Sequence, residues 1–182
     1  MRQQRAATSE LNFVARLAGA LYLATIVLGF LGQFSRGRLG VAADVAGGVG
    51  YVAVTALLYV LFKVENRTIS LVAAIFSLAG CAAFILFGLH RYPLPFNPMV
   101  FFGVYCSMIA YLIIRSGLLP KTVGVLMALT GVGWLSFGVP WVVAHLASII
   151  MVLGLAGEGS LTLWLLFRGV RNRESWAEEI SE

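Results

Sequence analysis

Charge is scarce in this chain, and that scarcity excludes most soluble folds. Asp, Glu, Lys and Arg together make up 12% of the 182 residues, whereas hydrophobic residues make up 60%. The mean hydropathy is +0.91. A soluble domain of this size needs far more charge to cover its surface. The composition therefore predicts that lipid surrounds much of the protein.

The motifs of the common enzyme and metal-binding classes are also missing. The chain has two cysteines and two histidines, and it contains no Cys-x-x-Cys, HExxH or Glu-x-x-His pattern. It also lacks a Walker motif, a serine nucleophile elbow and a dinucleotide fingerprint. We therefore expect no metal and no cofactor. Cys81 and Cys106 are expected to act as small packing residues.

Six apolar segments are each long enough to cross a bilayer, which takes about 20 residues of helix. They lie at about 14–34, 42–62, 69–89, 97–114, 121–139 and 141–167. No segment shows the alternation over about 10 residues that is typical of a membrane β-strand. The sequence predicts an all-α, polytopic transmembrane bundle of six helices, forming a single domain over residues 1–182. A short tail, 168–182, begins basic and ends acidic.

The distribution of basic residues predicts the orientation. If both termini are cytoplasmic, ten of the 13 Lys and Arg residues lie on the inner side and three on the outer side. That bias in short loops follows the positive-inside rule. The net charge of +5 is therefore explained by basic residues that set the orientation of the chain in the membrane. We expect membrane lipid as a partner and no nucleic acid, because no clustered basic surface or nucleic-acid motif accompanies the charge.

Four stretches together resemble a known family. They are RLAGALYLATIVLGF (16–30), LLYVLFKVENRTISLVAAIF (57–76), FFGVYCSMIAYLIIRSGLLPKTVGVLMALTG (101–131) and GEGSLTLWLLFRG (157–169). The chain resembles a bacterial family of small polytopic membrane proteins known only as a domain of unknown function. The resemblance implies a six-helix protein of the inner membrane and no established activity. It also implies that Asp44 and Glu158 match acidic positions of the family.

Glu158 is the one acid deep in a predicted span, about 15 Å inside the cytoplasmic boundary at Arg168. An acid at that depth is costly and must find polar partners. Small polar side chains lie at nearly the same depth on other helices: Ser77, Thr130, Thr55, Thr25, Cys106 and Tyr22. We expect Glu158 to face these hydroxyls. It is then a protonated structural hydrogen-bond donor, a functional acid in a proton or solute path, or the partner of Arg16 or Arg115.

Other polar residues lie near the outer rim. Asp44 is expected to cap the start of the second helix. His90 and His145 are expected to play interfacial polar roles, and the tryptophans, including Trp134, fit interface belts. Small residues at helical spacing, such as Gly124, Ala128 and Gly131 in the fifth span, predict helix seams. Those faces could equally seat a second copy or a partner subunit.

Two classes of function remain open on the sequence alone. The first is a non-enzymatic membrane protein that handles a small solute or proton at Glu158, or that serves as a partner subunit. The second is a membrane-embedded enzyme or cofactor-binding protein that acts on lipid or a redox cofactor, using Glu158 with Ser77 or the rim histidines. We favour the first class. A cavity that reaches Glu158 from one side would favour solute handling, whereas a filled core would favour a structural role.

Overall fold

The computed structural model describes residues 2–35, 37–88 and 97–170. Across these residues the chain forms six α-helices, each long and apolar enough to cross a membrane. They are α1 (Arg2–Phe34), α2 (Arg38–Phe62), α3 (Arg67–Gly88), α4 (Met99–Ser116), α5 (Lys121–Leu135) and α6 (Pro140–Phe167). The predicted all-helical, six-span architecture is confirmed, and the protein is a multi-pass membrane protein.

Among the helix boundaries that differ from the sequence pattern, two have identifiable reasons. The helix α1 begins at Arg2, before the apolar run starts, because helix formation does not require lipid contact. The helix α5 ends at Leu135, and one 3₁₀ turn, Ser136–Gly138, follows it. Val139 is extended, with φ −116° and ψ 99°, because a residue that precedes proline is disfavoured in the helical region. Pro140 then occupies the first turn of α6, where its missing N–H costs nothing.

The helices form a closed ring in which each packs against its neighbours in sequence and α1 packs against α6. The seam between α1 and α6 is tight near Gly19, where an added Cβ would lie 2.6 Å from the backbone nitrogen of Leu166. Further along, the side chain of Asn12 accepts a hydrogen bond from the Val170 backbone N–H at 2.9 Å. The first and last helices therefore meet at one end of the bundle.

We call this end, with Asn12 and Val170, the inner end. The opposite end, where α1 joins α2 and α5 joins α6, is the outer end. The names follow the predicted orientation, in which both termini are cytoplasmic. The start of α1 and the end of α6 lie on the same side of the bundle, as an even number of spans requires.

The small-residue stripe of α5 packs within the chain. An added Cβ on Gly124 would meet Ile113 and Ile114 of α4, and one on Gly131 would meet the backbone of Ser107 and Gly103. This stripe lets α4 and α5 approach closely, as small residues do in lipid. It is therefore a seam of the bundle.

Candidate functional site

Glu158 is hydrogen-bonded on the inside of the ring. Its Oε1 accepts a hydrogen bond from the indole N–H of Trp134 on α5 at 2.9 Å. The same oxygen faces the Cys106 thiol of α4, whose sulfur donates at 3.8 Å. The side chain of Tyr22 on α1 also faces the carboxylate. Three other helices therefore supply polar groups to this single acid, which agrees with its predicted inward orientation.

Trp134 corrects the expectation that this residue belongs to an interface belt. Its side chain is only 8% exposed, although it lies near the outer end of α5. The ring lies against α6 at Gly154, where an added Cβ would be 2.7 Å from the ring carbon Cη2. Gly154 precedes Glu158 by one helical turn on the same face. Its missing side chain provides the space through which the indole reaches the carboxylate.

A cluster of aromatic rings surrounds the acid on the α1, α2 and α4 sides. The Tyr22 and Tyr51 hydroxyls are 2.8 Å apart and share a hydrogen bond. Tyr51 makes edge contacts with Phe102, at 5.1 Å between ring centroids, and with Tyr105, at 6.1 Å. Such edge-to-face packing is favourable and orients the rings. The Tyr105 hydroxyl is also buried, with the Thr55 side chain beside it.

The predicted layer of serine and threonine hydroxyls forms in part, but it does not converge on Glu158. The Thr55 and Ser77 hydroxyls pair with each other at 2.6 Å across α2 and α3. Thr130 donates to the Leu153 carbonyl of α6 at 2.9 Å, and Thr25 donates to the carbonyl of Tyr22 at 2.7 Å. These hydroxyls satisfy backbone carbonyls or each other, as Ser and Thr commonly do in helices. Among the predicted residues, Tyr22 and Cys106 are the ones that face Glu158.

No ion pair joins Glu158 to Arg16 or Arg115 in the part of the chain that the structure describes. Both arginines are exposed at the bundle surface. Within the described residues, the polar partners of the Glu158 side chain are therefore hydrogen-bonding groups and not a basic residue.

A cavity of about 950 Å³ reaches Glu158 from the outer end. Its rim includes Phe34, Gly37 and Ser148, which are exposed, and its floor includes Phe102 and Trp134, which are buried. Glu158 lines the floor and is half-buried. Its carboxylate has capacity for further donors, because both hydrogen bonds described above are accepted by Oε1.

Asp44 lies in the same cavity, and the expected capping role is wrong. The residue that caps α2 is Gly37, and no side chain makes a capping hydrogen bond there. Asp44 lies two turns into α2 and faces α1 at Gly32, where an added Cβ would overlap its carboxylate. The absence of a side chain at Gly32 thus leaves room for a second acid in the cavity wall.

The one outer-rim histidine in the described residues, His145, is not brought together with the acids. The Nδ1 atom of His145 lies 2.8 Å from the Trp141 carbonyl, and its ring packs on the Trp141 ring at 4.8 Å between centroids. His90 lies outside the described residues. Cys81 and Cys106 are both buried, and neither forms a disulfide bond in the described residues. No group of three or more potential metal ligands occurs within the described ranges.

Comparison with known proteins assigns the chain to a family. A family model described as a domain of unknown function (DUF4386) matches residues 33–98 and 96–169. The matched residues contain α2 to α6 and therefore the whole α4–α6 wall around Glu158. Neither a curated protein nor a solved structure matches the chain. The match covers most of the sequence, and the protein belongs to the DUF4386 family of unknown function.

Proposed function

We propose that this protein is a non-enzymatic membrane protein that binds a small solute in the outer cavity, with Glu158 as its acidic centre. The observation that carries the proposal is the cavity of about 950 Å³ that runs from an exposed rim to this carboxylate. Ligand pockets in proteins commonly have volumes of about 300–1,000 Å³. A protein with a purely structural acid would have a filled core at this position.

The acid itself supports this role. Placing a carboxylate inside the membrane is energetically unfavourable, and such residues normally line a polar path or contact a ligand. Glu158 is held from one side by Trp134 and Cys106 while it also lines the cavity. A fixed carboxylate at the end of an open cavity can take up a proton or a hydrogen-bond donor of a solute. This arrangement suits binding and release.

The membrane-enzyme alternative has less support from the geometry. It required Ser77 or a rim histidine beside Glu158. The Ser77 hydroxyl pairs with Thr55 instead, and His145 is held by Trp141 at the bundle surface. We further propose that the chain lies in a bacterial inner membrane with both termini cytoplasmic, so that the cavity opens to the outside. The ten-to-three distribution of basic residues supports this orientation.

Thiol labelling tests the cavity and its side together. The variant Ser148→Cys places a thiol on the cavity rim, whereas Ile149→Cys places one on the adjacent residue of α6, which is exposed but does not line the cavity. The wild-type chain has two buried thiols, Cys81 and Cys106, and provides the background. The reagent is trimethylammonium-ethyl methanethiosulfonate, which does not cross membranes, added to spheroplasts.

We expect Ser148→Cys to react several times faster than Ile149→Cys, because thiolates form in water and not in hydrocarbon. Equal rates at the two positions would mean that the cavity is not open to water, and the proposed function would fail. Labelling of Ser148→Cys only in inverted vesicles would retain the cavity and reverse the proposed orientation.

A further inference from the structure

The described wall of the outer cavity is acidic and aromatic. It contains two carboxylates, those of Asp44 and Glu158, and no Lys, Arg or His among the described lining residues. Ring side chains contributed by five helices line it: Phe30, Phe34, Tyr51, Phe84, Phe102 and Trp134. Carboxylates attract cations, and the faces of aromatic rings attract cations as well. An anion would meet repulsion from both acids without a described basic partner.

The two acids lie at different depths. Along α2, Asp44 is seven residues from Tyr51, which is about 10 Å of helix. Tyr51 is hydrogen-bonded to Tyr22, which faces Glu158. A cation that enters from the outer end therefore passes Asp44 before it reaches Glu158. We therefore place the charged end of the ligand at the floor of the cavity, beside Glu158.

The cavity also lies along the seam between α1 and α6, where it meets the surface of the bundle. An added Cβ on Gly19 would overlap α6, but an added Cβ on Gly29, ten residues further along α1, would meet nothing within 4 Å. Phe30 of α1 and Met151 and Leu155 of α6 line the cavity and are exposed. The seam is thus closed at the inner end and open at the outer end. Its apolar edges can accommodate an apolar group that extends toward lipid.

We propose that the ligand of this cavity is an amphipathic organic cation, an amine or quaternary ammonium compound with an apolar or aromatic body. Its charged group lies at Glu158 among the aromatic rings, and its apolar body lies along the open part of the α1–α6 seam. The inference rests on the proposed function, and it adds the chemical class of the solute. A zwitterionic lipid headgroup fits less well, because the described lining offers no cation for its phosphate.

The test uses the purified full-length protein in dodecyl maltoside and, as the probe, tritiated benzyltributylammonium, a quaternary ammonium compound with an apolar and aromatic body. Equilibrium dialysis against empty micelles of the same detergent corrects for partitioning. We expect saturable binding in the wild type. Dodecyltrimethylammonium should compete, whereas dodecylphosphocholine, which carries the same tail and a zwitterionic head, should compete poorly.

Charge variants identify the residues that bind the cation. Glu158→Gln retains the shape of the side chain and should weaken binding by about 30-fold or more, the usual effect of losing one partner of a buried charge pair. Asp44→Asn should weaken binding by roughly threefold, because its carboxylate is nearer the rim and better solvated. Glu10→Gln changes an exposed acid of α1 outside the cavity, and it should leave binding unchanged.

A matched pair of glycine variants tests the position of the apolar body. An added Cβ meets nothing within 4 Å at either Gly29 or Gly159, but only Gly29 lines the cavity. Gly29→Leu should fold and should lose most of the binding because it fills the seam. Gly159→Leu should fold and bind as the wild type does.

Each outcome decides the proposal. Loss of binding in Glu158→Gln and Gly29→Leu, with binding kept in Glu10→Gln and Gly159→Leu, supports it. Absent or non-saturable binding, or equal binding by wild type and Glu158→Gln, overturns it, while rapid labelling of Ser148→Cys would still support a solute cavity. Equal competition by dodecylphosphocholine overturns the cationic class in favour of a lipid headgroup.

Discussion

The contact between Trp134 and Glu158 allows a quantitative test of the site. The indole N–H donates to Oε1 at 2.9 Å, and the ring is held in place by its fit against Gly154. A hydrogen bond to a charged group contributes about 1.5–3 kcal/mol, and one between neutral groups contributes about 1 kcal/mol. We combine Trp134→Phe, which removes the donor and keeps a six-membered ring, with Glu158→Leu, which removes the acceptor. The double-mutant cycle should give a coupling free energy of about 2 kcal/mol.

Thermal unfolding of the purified protein in detergent provides the assay. For a chain of this length 1 kcal/mol corresponds to roughly 2–4 °C in Tm, so the coupling should appear as about 4–8 °C of non-additivity. A second cycle with Glu158→Gln retains an acceptor oxygen without charge. If the carboxylate is ionised, Trp134→Phe should then cost about 1 kcal/mol less in the Gln background than in the wild type.

The control cycle pairs Glu158→Leu with Trp141→Phe. Trp141 is 68% exposed and lies at the start of α6, so its coupling to Glu158 should be indistinguishable from zero. A Trp134 coupling below about 0.3 kcal/mol, within the usual scatter of independent sites, would refute the argument that the indole stabilises the acid. It would also leave the orientation of the carboxylate toward the cavity without a physical cause.

Two further predictions concern packing around the site. Gly154→Ala places a methyl group against the Trp134 ring and should destabilise the protein by about 1–3 kcal/mol in thermal unfolding, whereas Gly159→Ala, which meets nothing, should be neutral or slightly stabilising; equal effects would contradict the packing argument. Thr55→Val and Ser77→Ala should each cost about 1 kcal/mol and should be non-additive in the double variant, because they share one hydrogen bond of 2.6 Å; full additivity would show that the bond contributes nothing.

The helices were predictable because lipid imposes a simple rule on sequence. A span must satisfy its backbone internally and present apolar side chains, so hydropathy alone locates all six. The same rule explains the errors at the ends. Hydropathy reports where lipid contact begins, whereas α1 begins at Arg2, before the predicted apolar run at about 14–34. At α5, hydropathy does not distinguish the 3₁₀ turn Ser136–Gly138 and the extended Val139 before Pro140 from α-helix, so the predicted span runs past Leu135.

The sequence predicted how deep each polar residue of the site lies along its helix, but not the direction in which its side chain points. Counting residues from a helix end places Thr25, Thr55 and Thr130 near the level of Glu158, yet it says nothing about which way each side chain points. Their hydroxyls use nearby carbonyls or Ser77 as partners. Depth also placed Trp134 near an interface, because it is close to the end of its helix.

One sequence signal could have identified the indole. Gly154 lies one turn from Glu158 on the same face of α6, and a glycine beside a buried acid leaves space for a large donor from a neighbouring helix. Trp134 supplies the nearest large donor on the preceding helix, α5. The carboxylate of Asp44 could not have been placed in the same way, because its position depends on the bend of the chain between α1 and α2.

The position of Glu158 along the chain has a consequence for assembly. Tyr22, Cys106 and Trp134, which meet the carboxylate, all precede it in sequence. Synthesis proceeds from the N-terminus, so these groups leave the ribosome earlier than the acid does. When α6 enters the bilayer, Glu158 therefore meets partners that have already been synthesised, and its carboxyl group does not depend on a later segment for hydrogen bonds.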